Sequence, residues 1–186
     1  MTGASGFVGQ RLLNTLIEQG VQLSLLSHTK RIPETDHSDT VSVVKGDLFD
    51  YDSLFDLVYG CDIVYHLAAY VHKPTITPQQ KKACNDVNFI GSKNLIDACI
   101  KQKYPPYFVL FSTTAVYGKK EGEMVESLEC VPDSCYGKSK LKAENYLLSK
   151  IKSGQIAGCI LRPCSIIGEN APGNLNRLIK IIEMGL

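Results

Sequence analysis

MTGASGFVGQRLL, residues 1–13, sets glycines at positions 3, 6 and 9 in front of an apolar helix. Without a Cβ, such residues let the chain turn sharply and let a phosphate come close to the backbone. The helix that follows points its first, unbonded N–H groups at the same place, which suits an anion such as a pyrophosphate. The spacing differs from the Gly-x-Gly-x-x-Gly of most dinucleotide loops, so taken alone it fits a plain turn before a helix equally well. A loop of this kind normally leaves the end of a buried strand. Met1 stands where that strand's last residues belong, and the first, central strand of a sheet is expected to be missing.

Reading outward, Val8, Leu12, Leu13, Leu16 and Ile17 recur at helical spacing, and Gly20 closes the helix. A strand is expected over 21–26, a polar loop after it, and a second strand over 41–44 ending at Gly46-Asp47. A short helix over 51–59 stops at Gly60, and 62–69 is a buried strand running into small residues. After a loop holding Pro74 and Pro78, one long helix is expected over 82–103, a strand over 107–112 and a loop over 113–133. A helix over 135–152, a strand over 157–162 and an amphipathic stretch over 174–184 complete the chain. Strands alternating with helices imply a doubly wound α/β fold, a parallel sheet covered on both faces, in one domain over 1–186.

With 186 residues, 44% hydrophobic and 21% charged, the chain has the composition of an ordinary soluble domain. Its net charge of +1 gives no electrostatic case for nucleic acid or an anionic membrane as partner. No apolar run is long enough to span a bilayer, and the N-terminus lacks the pattern of a signal peptide. Seven cysteines, odd in number and without a Cys-x-x-Cys pair, argue against a disulfide framework and against metal ligation. Most are expected to be small buried hydrophobes kept reduced, which fits the cytoplasm.

Tyr136 and Lys140, in YGKSK, are four apart and so share a helix face. An ammonium near a phenol favours the phenolate and would lower a pKa of about 10, making Tyr136 a plausible acid/base for a hydroxyl or carbonyl. His66 ends a buried strand and reads as a hydrogen-bonded core residue.

The glycine loop, GDL (46–48), HLAA (66–69), FSTTAVYG (111–118), YGKSK (136–140) and LRP (161–163) occur in one order. This resembles the extended short-chain dehydrogenase/reductase family, which holds nucleotide-sugar epimerases, dehydratases and reductases. The resemblance covers essentially the whole chain and implies a Rossmann-like fold that binds NAD or NADP. By it, Tyr136 is the acid/base, Thr113 steadies the substrate oxygen, Lys140 also reaches the nicotinamide ribose, and Asn88 supports the site. Gly3, Ser5, Gly6, Phe7, Val8 and Gly9 would cradle the pyrophosphate. Asp47 and Leu48 would flank the adenine, Ala68 and Ala69 would give the cofactor close passage, Pro163 would lie near the carboxamide, and Leu67 and Ser112 would also bind the cofactor. Thr114, Cys164 and Ser165 would face the substrate.

Two departures narrow the chemistry. The dehydratases of the family carry Asp-Glu after the catalytic threonine, where this chain has Thr114-Ala115. Water elimination therefore lacks its proton donor. At the end of the second strand, an acid would take the ribose 2′-OH of NAD. Ser27-His28-Thr29-Lys30-Arg31 offers none, and its cations favour NADP slightly. Relatives continue for roughly another domain's length, so a substrate domain is expected to be missing too, and the chain reads as a fragment. The expected function is a nucleotide-sugar epimerase or keto-sugar reductase, homodimeric through the helices 82–103 and 135–152. A hydroxysteroid-type or other small-alcohol dehydrogenase, an inactive truncated remnant and a non-catalytic cofactor-binding regulator are the alternatives.

Overall fold

The computed structural model describes residues 1–29, 32, 39–71, 77–120, 122–169, 171 and 182. Lys30 and Arg31 lie outside them, as does nearly all of the stretch over 174–184. Among the described residues, five helices and five strands follow in the order α1 (Phe7–Glu18), β1 (Leu23–Ser27), β2 (Val41–Lys45), α2 (Tyr51–Val58), β3 (Ile63–His66), α3 (Pro78–Asn85), α4 (Ser92–Ile100), β4 (Tyr107–Phe111), α5 (Cys135–Lys152) and β5 (Gly158–Leu161). Strand β1 pairs with β2, and β3 with β4 and β4 with β5, all parallel.

Met1 and Thr2 join the two sets of strands. The Met1 nitrogen donates to Ser24 O at 2.5 Å and Leu26 N donates to Met1 O at 3.0 Å. On the other side, Thr2 N donates to Tyr65 O at 3.0 Å and Leu67 N to Thr2 O at 3.2 Å. The two residues thus hold the central place between β1 and β3, where the strand ahead of the glycine loop was expected to end.

Alternation along the strands separates two cores. Leu23, Leu25 and Tyr65 face Met1, Leu13 and Leu16 of α1, whereas Leu26, Val64, Phe108 and Leu110 face Leu54, Leu57, Leu95 and Leu147 of α2, α4 and α5. Burial on both faces is what a doubly wound parallel sheet requires. Among the described residues no helix is long and apolar enough to cross a membrane.

Three expectations need correcting. The helix expected over 82–103 begins at Pro78, where Thr77 forms a capping box with Gln80, and it is interrupted by a π-helical turn at Asp86–Gly91. Periodicity cannot show such a turn, since it adds one residue without breaking the helix. The segment after Thr113 opens with a 3₁₀ turn, Thr114–Tyr117, capped by the Thr113 hydroxyl. Of the seven cysteines only Cys84 and Cys99 are buried. Others lie at the rims of elements, and Cys159 is half-exposed on β5.

Candidate functional site

The strand ends that follow Thr2, β1, β3, β4 and β5 meet at one side of the sheet, where ligands of such folds bind. Two cavities open there, of about 380 Å³ and about 330 Å³, and Gly3, Leu67 and Ala69 line both. The first is walled by Ser5, Asp47, Leu48 and Ala68. The second is walled by Phe7, Val8, Gly9 and Ser112 on one side and by Thr113, Tyr136, Pro163 and Cys164 on the other. Of the expected cofactor and catalytic residues, all but Gly6, Asn88 and Lys140 thus line one or other of these cavities.

The glycine loop divides the cleft. Gly3 adopts φ +75°, and a Cβ there would lie 2.6 Å from Ala68 N, so the turn needs a glycine. Gly6 N donates to Gly3 O at 3.0 Å, and α1 starts at Phe7 with no side-chain cap and no acid in its first turn. The first N–H groups of α1 are left for an anion.

Thr113 is extended, and its Oγ1 accepts from Ala115 N at 3.2 Å, so its own hydroxyl proton is free to turn toward the cavity. Thr114 N donates to Pro163 O at 3.2 Å, tying the two rims together. Thr114 opens the 3₁₀ turn and Ser165 is exposed; neither lines the cavity. Helix α5 is capped by the Ser134 hydroxyl, which accepts from Gly137 N at 3.0 Å, and this sets Tyr136 in the first turn beside Thr113.

Lys140 is completely buried one turn further on, and its Nζ has no hydrogen-bond partner. Burial draws the ammonium down to about 8, with Glu144 acting against it. Burial, with Cys84 adding to it, pushes the Tyr136 phenol up. The lowering expected from Lys140 is therefore not found: nothing offsets the desolvation of the phenol.

Asn88 sits in the π-helical turn with no exposed surface. It accepts from Tyr70 N at 2.7 Å and donates to Tyr70 O and to Ser139 Oγ, both at 3.0 Å. It thereby clamps the segment after β3, which carries Ala68 and Ala69, onto α5. At the other end of the cleft, His28 Nε2 lies 2.9 Å from Asp47 Oδ2. Ser27, His28 and Thr29, from the loop expected to meet the cofactor's 2′ position, line the first cavity, and Ile32, which was not expected there, lines it too.

His66 is a core residue, as expected. The Ser92 hydroxyl donates to Asn88 O at 2.7 Å, so it accepts from His66 Nε2–H at 2.8 Å, and Nδ1 accepts from the Thr2 hydroxyl at 2.6 Å. Burial, then the Lys140 charge, lowers the imidazole from its ordinary 6.5 to about 3. Below pH 6.5 the unfolded chain takes a proton that the folded chain refuses until about pH 3, so stability is lost as pH falls through this window. The loss is on the order of 3–5 kcal/mol for His66 alone. His66→Gln is expected to flatten the pH dependence of the urea midpoint between pH 6.5 and 4 relative to wild type. Parallel curves would show that His66 titrates normally.

Residues 1–184 match the NAD dependent epimerase/dehydratase family. The chain is 30% identical over 201 residues to short-chain dehydrogenase/reductase family 42E member 1 of Xenopus laevis, covering 100% of this chain and 50% of that protein. It is 28% identical over 191 residues to a 3-beta-hydroxysteroid dehydrogenase of Mycolicibacterium neoaurum, covering 98% of this chain and 50% of that protein. It also superposes on the UDP-glucuronic acid 4-epimerase of Bacillus cereus, solved with UDP-glucuronic acid and NAD. The TM-score is 0.85 at 27% identity, over 98% of this chain and 62% of that one. The chain spans about half the length of the curated relatives it matches.

Proposed function

The chain belongs to the NAD dependent epimerase/dehydratase family, and from that premise we propose that it is the cofactor-binding and acid/base part of an NAD(P)-dependent nucleotide-sugar enzyme, a 4-epimerase or a keto-sugar reductase. One observation carries the reading: Thr113, Tyr136 and Pro163 share a cavity with the glycine loop, and a buried Lys140 without a hydrogen-bond partner stands one turn after Tyr136 on α5.

The residues present fit a nicotinamide dinucleotide. The first turn of α1 would hold its pyrophosphate, Asp47 and Leu48 its adenine, Lys140 its nearer ribose and Pro163 its carboxamide. A bound nicotinamide supplies the exchange of hydride with a substrate carbon. Tyr136 takes the hydroxyl proton as that carbon is oxidised and returns it when the carbonyl is reduced. Thr113 holds the oxygen against the phenol, with Cys164 toward the sugar. Thr114-Ala115 provide no acid for water elimination. The preference for NADP rests on Lys30 and Arg31, whereas the 4-epimerase neighbour was solved with NAD. Seven free cysteines support a reducing compartment such as the cytoplasm. Two copies would pair through the helices 82–103 and 135–152, where Leu148 is exposed.

The likeness to a 3-beta-hydroxysteroid dehydrogenase favours a second reading, a small-alcohol dehydrogenase. Incubation with either cofactor and UDP-glucuronic acid, and separately with a 3β-hydroxysteroid, separates the two. The first reading expects the C4 epimer by NMR without build-up of reduced cofactor. Stoichiometric reduced cofactor with the steroid moves the assignment to the second, and no conversion of either by the full-length enzyme overturns the 4-epimerase and the steroid readings together.

A further inference from the structure

Behind the wall that carries Thr113 and Pro163 lies a charge cluster that the proposed chemistry does not use. Glu144 has no exposed surface. Its carboxylate accepts from Arg162 Nε at 3.2 Å through each oxygen, from Arg162 Nη2 at 2.7 Å, and from the Ser112 hydroxyl. Arg162 is anchored in turn: Nη1 donates to the Tyr117 hydroxyl at 2.8 Å, and the guanidinium lies 4.9 Å over the Tyr117 ring. A forked, buried pair of this kind has one geometry, unlike an exposed ion pair that samples many.

The attachments of this one carboxylate fall next to the reacting groups. Ser112 precedes Thr113 at the end of β4, and Arg162 precedes Pro163 at the end of β5. Lys140 lies one turn before Glu144 on α5. Two titratable groups near Lys140 add no negative charge at neutral pH. Tyr136, on the same helix, is held protonated by burial, and His66, from β3, is held neutral. Cys84, from α3, lies beyond Ser139 at 3.4 Å from its Oγ. Arg162, beside β5, is a further cation, already engaged by Glu144.

We propose that Glu144 is a positioning residue that fixes the ends of β4 and β5 carrying Thr113 and Pro163 and keeps Lys140 an ammonium in dry surroundings. The roles of Thr113 and Lys140 rest on the proposed function; the charge state of Lys140 does not. Removing the carboxylate's charge leaves desolvation unopposed, so Lys140 loses its proton at lower pH.

The test is a ¹⁵N NMR titration of the Lys140 ammonium in wild type, in Glu144→Gln, and in the double variant Glu144→Gln with Arg162→Met, which leaves no unpaired buried guanidinium should the single variant fail to fold. The Lys140 midpoint is expected to fall by about one unit or more in Glu144→Gln and by less in the double variant. A pair that only fastens α5 to the sheet would lower the melting temperature and leave the midpoint where it was. An unmoved or raised midpoint in a folded variant overturns the proposal. The titration needs neither substrate nor turnover, so it can fail while the acid/base assignment of Tyr136 stands, and the reverse.

Discussion

Tyr136→Phe is expected to lower turnover by about 10²–10⁴-fold, the usual contribution of a general acid/base, and to leave cofactor affinity within about threefold of wild type. Such a loss corresponds to about 2.7–5.4 kcal/mol of barrier, too large for a substrate contact at the rim. The substitution removes one oxygen and keeps the ring, which lines the cavity with Thr113 and Pro163. The phenol is pushed up by burial and Cys84, so near neutral pH it is an acid ready to give a proton to a carbonyl oxygen. Running the other way it must first lose that proton, so oxidation of a hydroxyl should quicken as pH rises while reduction should not. Steady-state rates of the full-length enzyme with whichever substrate it converts, beside calorimetric titration of the cofactor, check both statements. Turnover within threefold of wild type would remove Tyr136 from the mechanism.

Much of this site could be read without a structure because its parts are local in sequence. The glycine spacing needs only the turn it makes, and the relation of Tyr136 to Lys140 needs only one helical turn. The order of strands and helices follows from short apolar runs and their breakers. What could not be read depends on distance in space. Tyr136 is desolvated by elements far from it in sequence, which raises its phenol where the neighbouring lysine was expected to lower it. The π-helical turn leaves the apolar period nearly unchanged, so nothing in 82–103 announces it, yet it holds Asn88 where it can clamp Tyr70. Glu144 reads as an ordinary charge on a helix until β4 and β5 bring Ser112 and Arg162 to it.

The same reasoning applies to the loop that opens the chain. Replacing a glycine by alanine inside a helix ordinarily stabilises it by about 0.5–1 kcal/mol, because alanine has less backbone freedom to lose. Gly9 is the third residue of α1, is buried, and is expected to show the opposite sign. A Cβ built there lies 2.1 Å from Gly3 O and 2.9 Å from Ala4 Cα. Both are backbone atoms, and Gly3 O also accepts from Gly6 N, so the loop cannot give way without losing the turn that aims α1 at the cleft. Overpacking of this kind costs about 1–3 kcal/mol, or a melting temperature lower by about 2–4 °C for each kcal/mol in a chain of this size. Gly9→Ala should therefore melt lower and lose most of its affinity for NAD, since the displaced backbone is the part that would meet the pyrophosphate. Gly6→Ala, whose Cβ would lie 3.2 Å from Gly3 O, should suffer less in both. Thermal melts and calorimetric titration with NAD read the two effects. A Gly9→Ala chain that melts higher than wild type and binds NAD unchanged would mean that the close approach of α1 to its own loop is not what shapes the site.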